Sequence, residues 1–165
     1  MARPTRNEPG PGQESVWDYP RPPDLRPTRD HVRIVHHGVT IAESCQAVRV
    51  CETSQPPAFY LPRADVQMEH LYRTKGRSFC EWKGAATYWA VQVGAVTVPE
   101  AAWSYEQPNA RFAAITGHLA FYAQRLDECW VGDERVEPNE GDFYGGWVTS
   151  KVVGPFKGGA GSHWW

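Results

Sequence analysis

The sequence lacks a long hydrophobic run: its longest uncharged stretch, Gly84 to Pro99, is interrupted by glycine and polar residues and falls short of a membrane span. Its opening residues, MARPTRNEPGPGQE, contain no apolar signal core, so a cytoplasmic protein without membrane partners is the expectation. Charge of one sign is lacking as well. A formal net charge of −2 gives no overall attraction for phosphate backbones, which argues against nucleic acid as a partner. Cysteine is sparse: Cys45, Cys51, Cys80 and Cys129 include no CxxC pair, and without a signal peptide reduced thiols are the default. Histidine spacing offers no metal site, since His36 and His37 fall at a predicted hairpin turn and His70 and His118 are isolated. Neither a metal nor a cofactor is expected. No GxSxG elbow or Rossmann glycine pattern occurs, and GPFKGGAG lacks the GK[ST] ending of a phosphate loop.

Aromatic residues, by contrast, make up 13% of the chain and include eight tryptophans, more than an ordinary core needs. Seven prolines crowd residues 1–30, which read as a disordered or loosely docked arm tacked down by Trp17 and Tyr19. Beyond it, Val32 and Ile34, then Val39 and Ile41, alternate with polar neighbours around HHG and predict a hairpin. A third strand covers Ala47 to Glu52, with Val48 and Val50 on one face and Arg49 and Cys51 on the other. FYLP reads as a strand fragment and ADVQMEHL as a short helix starting near Arg63. Strands resume from Phe79 to Val98 and continue through AAWSYEQPN; ARFAAI reads as a turn of helix, HLAFYA as a strand, and CWVGDERVEP as a last hairpin. The fold class is mainly β, an antiparallel barrel or sandwich with one or two short helices, followed over 137–165 by a glycine and aromatic extension.

The decapeptide CEWKGAATYW carries the densest chemistry. Read as a strand, it puts Cys80 and Trp82 on one face and Glu81 and Lys83 on the other, with Gly84 as a kink. An exposed lysine and glutamate on a solvated face is the ordinary reading. The functional reading sets Lys83 among rings as an anion clamp or proton-transfer group, with Glu52 as its partner from the end of the third strand. In WSYEQP, Trp103 and Tyr105 share one face and Ser104 and Glu106 the other; Tyr60, Tyr88 and Tyr122 add phenols that need hydrogen-bond partners. Cys80 reads as a small buried hydrophobe.

The motifs VRIVHHGVTIAES, FYLPRADV, CEWKGAATYW, AAWSYEQP and HLAFYAQRLDECWV, in that order over about residues 31–136, resemble domain-of-unknown-function family 427. These are small bacterial, archaeal and fungal proteins. The resemblance implies a β-tent fold like that of Mss4-like proteins, two small antiparallel sheets meeting at an angle. It implies less about activity: a nucleotidyltransferase-like label predicts paired DxD carboxylates and a glycine-serine phosphate motif, and this sequence has neither. Zinc-binding β-tent relatives use CxxC knuckles, also missing here, whereas others hold small ligands in an aromatic cage. Positions matching the recurring motifs include Glu52, Tyr60, Asp65, Trp82, Lys83, Tyr88, Trp103, Tyr105 and Tyr122, with Asp65 as a helix cap.

The resulting expectation is a small-molecule pocket enzyme doing acid–base chemistry of isomerase, lyase or hydrolase type. Glu52 is the general base, Lys83 holds negative charge, and Tyr105 orients or protonates the substrate. Tyr60, Trp82, Tyr88, Trp103 and Tyr122 line the ligand. The competing reading is a non-catalytic interaction or ligand-binding module that forms a homodimer through its tails; scattered exposure of Glu52 and Lys83 favours it, convergence in one pocket favours chemistry. Nucleotide transfer is a third reading, and it predicts phosphate and divalent-metal binding.

Overall fold

A computed structural model describes residues 3–165. The proline-rich arm is folded against the rest: it supplies β1 (Glu14–Ser15), a 3-10 turn at Val16–Asp18 and β2 (Asp24–Pro27). A hairpin follows, β3 (Val32–His36) and β4 (Val39–Ser44), turning at His37 and Gly38, whose φ values of 46° and 73° suit the twist of paired strands. Next come β5 (Val48–Cys51) and β6 (Ala58–Tyr60). Three long strands form a meander: β7 (Leu71–Cys80), β8 (Gly84–Val93) and β9 (Val96–Ser104). Short strands complete the chain, namely β10 (Ala120–Phe121), β11 (Glu128–Val131), β12 (Glu134–Arg135), β13 (Glu137–Pro138), β14 (Trp147–Val148) and β15 (Val152–Val153).

These strands make several small sheets and, among the described residues, no closed barrel. Two are four-stranded, ordered β10-β9-β8-β7 and β12-β11-β3-β4; a third is β2-β5-β6, and β13-β14 and β1-β15 are pairs. The first core forms where Val32, Ile34 and Ile41 of one four-stranded sheet meet Val91, Ala101 and Ala102 of the other, with Leu61, Leu119 and Phe121. Trp147 from the extension seals it. Its indole is 1% exposed, stacks on Phe59 at 5.1 Å and donates through Nε1 to the Phe121 carbonyl at 2.9 Å. A second, aromatic cluster joins β5 and β6 to β8, β9 and the β10 edge through Val50, Tyr60, Trp103, Tyr105 and Tyr122.

The arm and the extension hold each other. β1 runs parallel to β15, Trp17 Nε1 donates to the Pro155 carbonyl at 2.9 Å, and the Trp17 and Trp165 rings lie 5.7 Å apart. Tyr19 and Val16 are buried with Cys51 and Val152. β2 pairs with β5, Leu25 opposite Val50, so the arm contributes an integral edge strand. Among the described residues no helix is long and apolar enough to cross a membrane.

Four local expectations change. The helix expected from Arg63 is two 3-10 turns, Arg63–Asp65 and Met68–His70, because the backbone between them pairs with β4: Val66 bridges Ala42 and Gln67 N donates to the Ile41 carbonyl. Asp65 caps nothing; it accepts from Ser44 Oγ at 2.6 Å, and the turn's N-cap is Pro62. Strand β7 begins at Leu71, well before Phe79, and its early half went unseen because Arg73, Lys75 and Arg77 are exposed on a sheet edge, with an irregular register between Arg73 and Arg77. His36 is buried rather than solvated, and its Nδ1 accepts from the Asp127 backbone N–H at 3.1 Å.

Removing the Trp147 side chain opens a cavity in the main core. Trp147→Ala is expected to cost about 3–5 kcal/mol, a fall of roughly 6–20 °C in Tm by calorimetry. Burial lowers the His36 pKa below its ordinary 6.5, opposed by the Asp127 carboxylate and reinforced by His37. A base that binds protons less well when folded stabilises the fold above its unfolded pKa and loses that contribution as pH falls. Tm should therefore drop below about pH 6.5, and His36→Gln should flatten that part of the profile.

Candidate functional site

Between the β2-β5-β6 sheet and the β7–β10 sheet lies a cavity of about 430 Å³, within the range of roughly 300–1,000 Å³ usual for small-molecule sites. One wall comes from Val50 of β5, Glu52 just after it, and Ala58 and Tyr60 of β6. The opposite wall comes from Ser78, Cys80, Tyr88, Trp103 and Tyr105, with Tyr122 beyond β10. Phe143 to Gly146 and Lys157 form a third side.

The geometry of Lys83 is set by a turn. Residues 81–83 link β7 to β8 rather than continuing a strand, so alternation does not place their side chains. Asn109 clasps the turn, its Nδ2 donating to the Trp82 carbonyl at 2.7 Å and its N–H to the Lys83 carbonyl at 3.1 Å, and Gly84 leaves it at φ 103°. Glu81 ends exposed and Trp82 half-buried, while Lys83 is turned inward, 8% exposed, with Nζ 5.6 Å from the Tyr105 ring centroid. Among the described residues Lys83 has no carboxylate within ion-pair distance. Glu52 lines the same cavity but pairs elsewhere: its Oε2 takes Arg21 Nε at 3.4 Å, and Arg21 is anchored on the Thr53 carbonyl and Ser54 Oγ.

The rings are ordered by contacts. Trp103 donates through Nε1 to the Tyr60 hydroxyl at 2.9 Å and lies 4.5 Å from the Tyr122 ring. The Tyr60 ring meets Trp103 edge-on at 6.0 Å and tilts toward Tyr105 at 6.3 Å. Tyr88 and Ser78 share a hydroxyl hydrogen bond of 2.7 Å, and Tyr122 donates to the Phe143 carbonyl at 3.1 Å. Burial, above all, pushes the phenols of Tyr60, Tyr105 and Tyr122 far above their ordinary range, and neighbouring Tyr88 adds to the effect. At neutral pH they are proton donors and not bases.

All eight expected site residues, Glu52, Tyr60, Trp82, Lys83, Tyr88, Trp103, Tyr105 and Tyr122, line this one cavity. Cys80, expected as core packing, is only partly buried and lines it too. Sequence reasoning missed Arg21, Ser78, Lys157 and the 143–146 wall. The wall had a readable signal in FYGGW: a Cβ on Gly145 would run into the Trp103 indole, and one on Gly146 into the Pro56 carbonyl, so the glycines mark close backbone approach. Arg21 had none, because nothing in an arm of prolines points to Glu52.

Among the described residues, the group of side chains able to converge on a metal is His36, His37 and Asp127, with ligand atoms within 4.8 Å of one another, and none of them lines the cavity. The cavity's own carboxylates are Glu52 and Glu81.

Fold and cavity together define a small β-rich domain of several sheets with an aromatic pocket between two of them. The chain belongs to the family described as Domain of unknown function (DUF427), whose model matches residues 24–132. The match begins at the first residue of β2 and stops short of the Phe143–Gly146 wall and Lys157. A search of curated proteins returns no match.

Because Gly145 packs directly on Trp103 and Tyr122, Gly145→Val should lift the third wall away. The expected result is a loss of about 1–3 kcal/mol and a red-shifted tryptophan emission, read by chemical denaturation and fluorescence.

Proposed function

We propose that this cavity binds a small organic molecule bearing negative charge and performs acid–base chemistry on it with the chain's own side chains. The observation that carries the proposal is Lys83, a buried ammonium group without a carboxylate partner among the described residues, facing a ring-walled cavity. Desolvating an uncompensated cation is unfavourable, and a bound anion would offset that cost. Tyr105, kept protonated by burial, supplies a donor beside it. Glu52 supplies the base: Arg21 engages Oε2, and Oε1 has no partner among the described residues. Proton removal by Glu52, stabilisation of the resulting negative charge by Lys83 and by a hydrogen bond from the Tyr105 hydroxyl, and return of the same proton from Glu52 to another atom of the substrate make a balanced isomerisation sequence. In an elimination Glu52 gives that proton to the leaving group.

A non-catalytic ligand-binding role uses the same cavity and is favoured by one observation, the Arg21 contact that occupies part of the carboxylate. The two readings separate on Glu52. A thermal-shift screen of a metabolite library supplies the ligands, and turnover of each is followed by NMR. Lys83→Met should leave Tm unchanged or raise it, while weakening anionic ligands about 10- to 150-fold, the equivalent of a charged hydrogen bond of about 1.5–3 kcal/mol. Glu52→Gln should abolish turnover and spare binding. Unchanged affinity in Lys83→Met overturns the pocket proposal; ligands bound without turnover by the unsubstituted protein leave the binding role alone.

A further inference from the structure

Several hydrogen-bond donors on the cavity wall have no acceptor among the described residues. Several polar groups satisfy one another: Ser78 with Tyr88, Tyr122 with the Phe143 carbonyl, Trp103 Nε1 with Tyr60. Lys157 Nζ is engaged with the Trp165 carbonyl oxygen at 3.3 Å and lies over the Tyr144 ring. Among the donors left over, which include Trp82 Nε1, three lie close together. The Tyr60 hydroxyl has its lone pair engaged by the Trp103 indole, so its own proton points elsewhere, and among the described residues no acceptor takes it. The Tyr105 hydroxyl and Lys83 Nζ have no hydrogen-bond partner among the described residues.

These three are neighbours. The Tyr60 and Tyr105 rings are 6.3 Å apart and Lys83 Nζ sits 5.6 Å from the Tyr105 centroid, and all three residues are more than nine-tenths buried. Their polar atoms open onto the cavity and take no acceptor among the described residues, so a ligand lodged there would complete the bonding. The complement of two hydroxyl donors and one ammonium group is an oxygen group with several lone pairs and a single negative charge. Within this cluster Lys83 brings a single positive charge, which matches a carboxylate better than a phosphate dianion. Trp103, Tyr122 and Trp82 flank the rest of the space with rings, which suits a flat, unsaturated body.

Resting on the pocket reading above, we infer that Lys83, Tyr105 and Tyr60 form one oxyanion cradle and that the ligand is an aromatic or conjugated carboxylate. Tyr60 is a direct donor to that carboxylate, and Trp103 is a positioning residue that orients the Tyr60 proton by occupying its lone pair.

The test uses the full chain and three probes of one shape, benzoate, benzyl alcohol and phenyl phosphate, titrated at pH 7 by calorimetry and by the indole N–H signals in NMR. Benzoate should bind and shift the Trp103 indole signal, with benzyl alcohol about tenfold weaker or more and phenyl phosphate no tighter than benzoate. Tyr60→Phe should weaken benzoate about tenfold and leave benzyl alcohol unchanged. Because that substitution also leaves the Trp103 N–H without its acceptor, Tyr105→Phe, which breaks no internal hydrogen bond, serves as the second variant with the same expected selectivity. Benzyl alcohol binding as tightly as benzoate would overturn the cradle and leave the pocket standing. Phenyl phosphate binding tighter would overturn the carboxylate assignment, and no indole shift with any probe would overturn the cradle and the pocket together.

Discussion

The buried hydrogen bond from Trp103 Nε1 to the Tyr60 hydroxyl joins two different sheets, since Trp103 belongs to β9 and Tyr60 to β6. With this bond in place, the facing walls of the cavity are held at a fixed separation. Tyr122 packs against the same indole at 4.5 Å, and Gly145 brings the backbone of the extension onto its outer edge. The three sides of the pocket therefore meet at one side chain. A tryptophan suits this role because a large rigid ring contacts several elements at once while its single polar atom fixes the orientation.

The charges around the cavity are arranged unequally. Glu52 is held by Arg21 from the arm, whereas Lys83 is buried against Tyr105 without a counterion among the described residues. An arrangement selected for stability alone would place the lysine in solvent or pair it. The buried phenols follow the same pattern, since desolvation keeps Tyr60 and Tyr105 protonated, and among the described residues no acceptor takes their hydroxyl protons. A bound anion, as proposed, would supply the missing counter-charge.

The ends of the chain take part in this design. The arm provides the guanidinium that holds Glu52 and an edge strand beside β5; the extension provides Trp147 for the main core and the third wall of the cavity. Their mutual pairing through β1 and β15 and through Trp17 ties both to the domain. The family match, over residues 24–132, covers the scaffold and most of the site, and the wall at Phe143–Gly146 lies outside it.

By itself the sequence determined the β-rich class, the hairpin at His37 and Gly38 and the strands carrying Val48 to Cys51 and Trp103, because period-two alternation is a local property, and residue chemistry with the family resemblance pointed to eight of the residues that line the cavity. Local pattern failed where a partner segment set the outcome: the turns at Arg63–Asp65 and Met68–His70, pulled open by β4, and the charged start of β7, recognisable only by its pairing with β8. Tertiary structure alone decided that Lys83 points inward from a turn clasped by Asn109, that Glu52 meets Arg21 and not Lys83, and that the extension closes the pocket. Each of these joins residues far apart in the chain, and no local spacing encodes which distant groups the folded backbone will bring face to face.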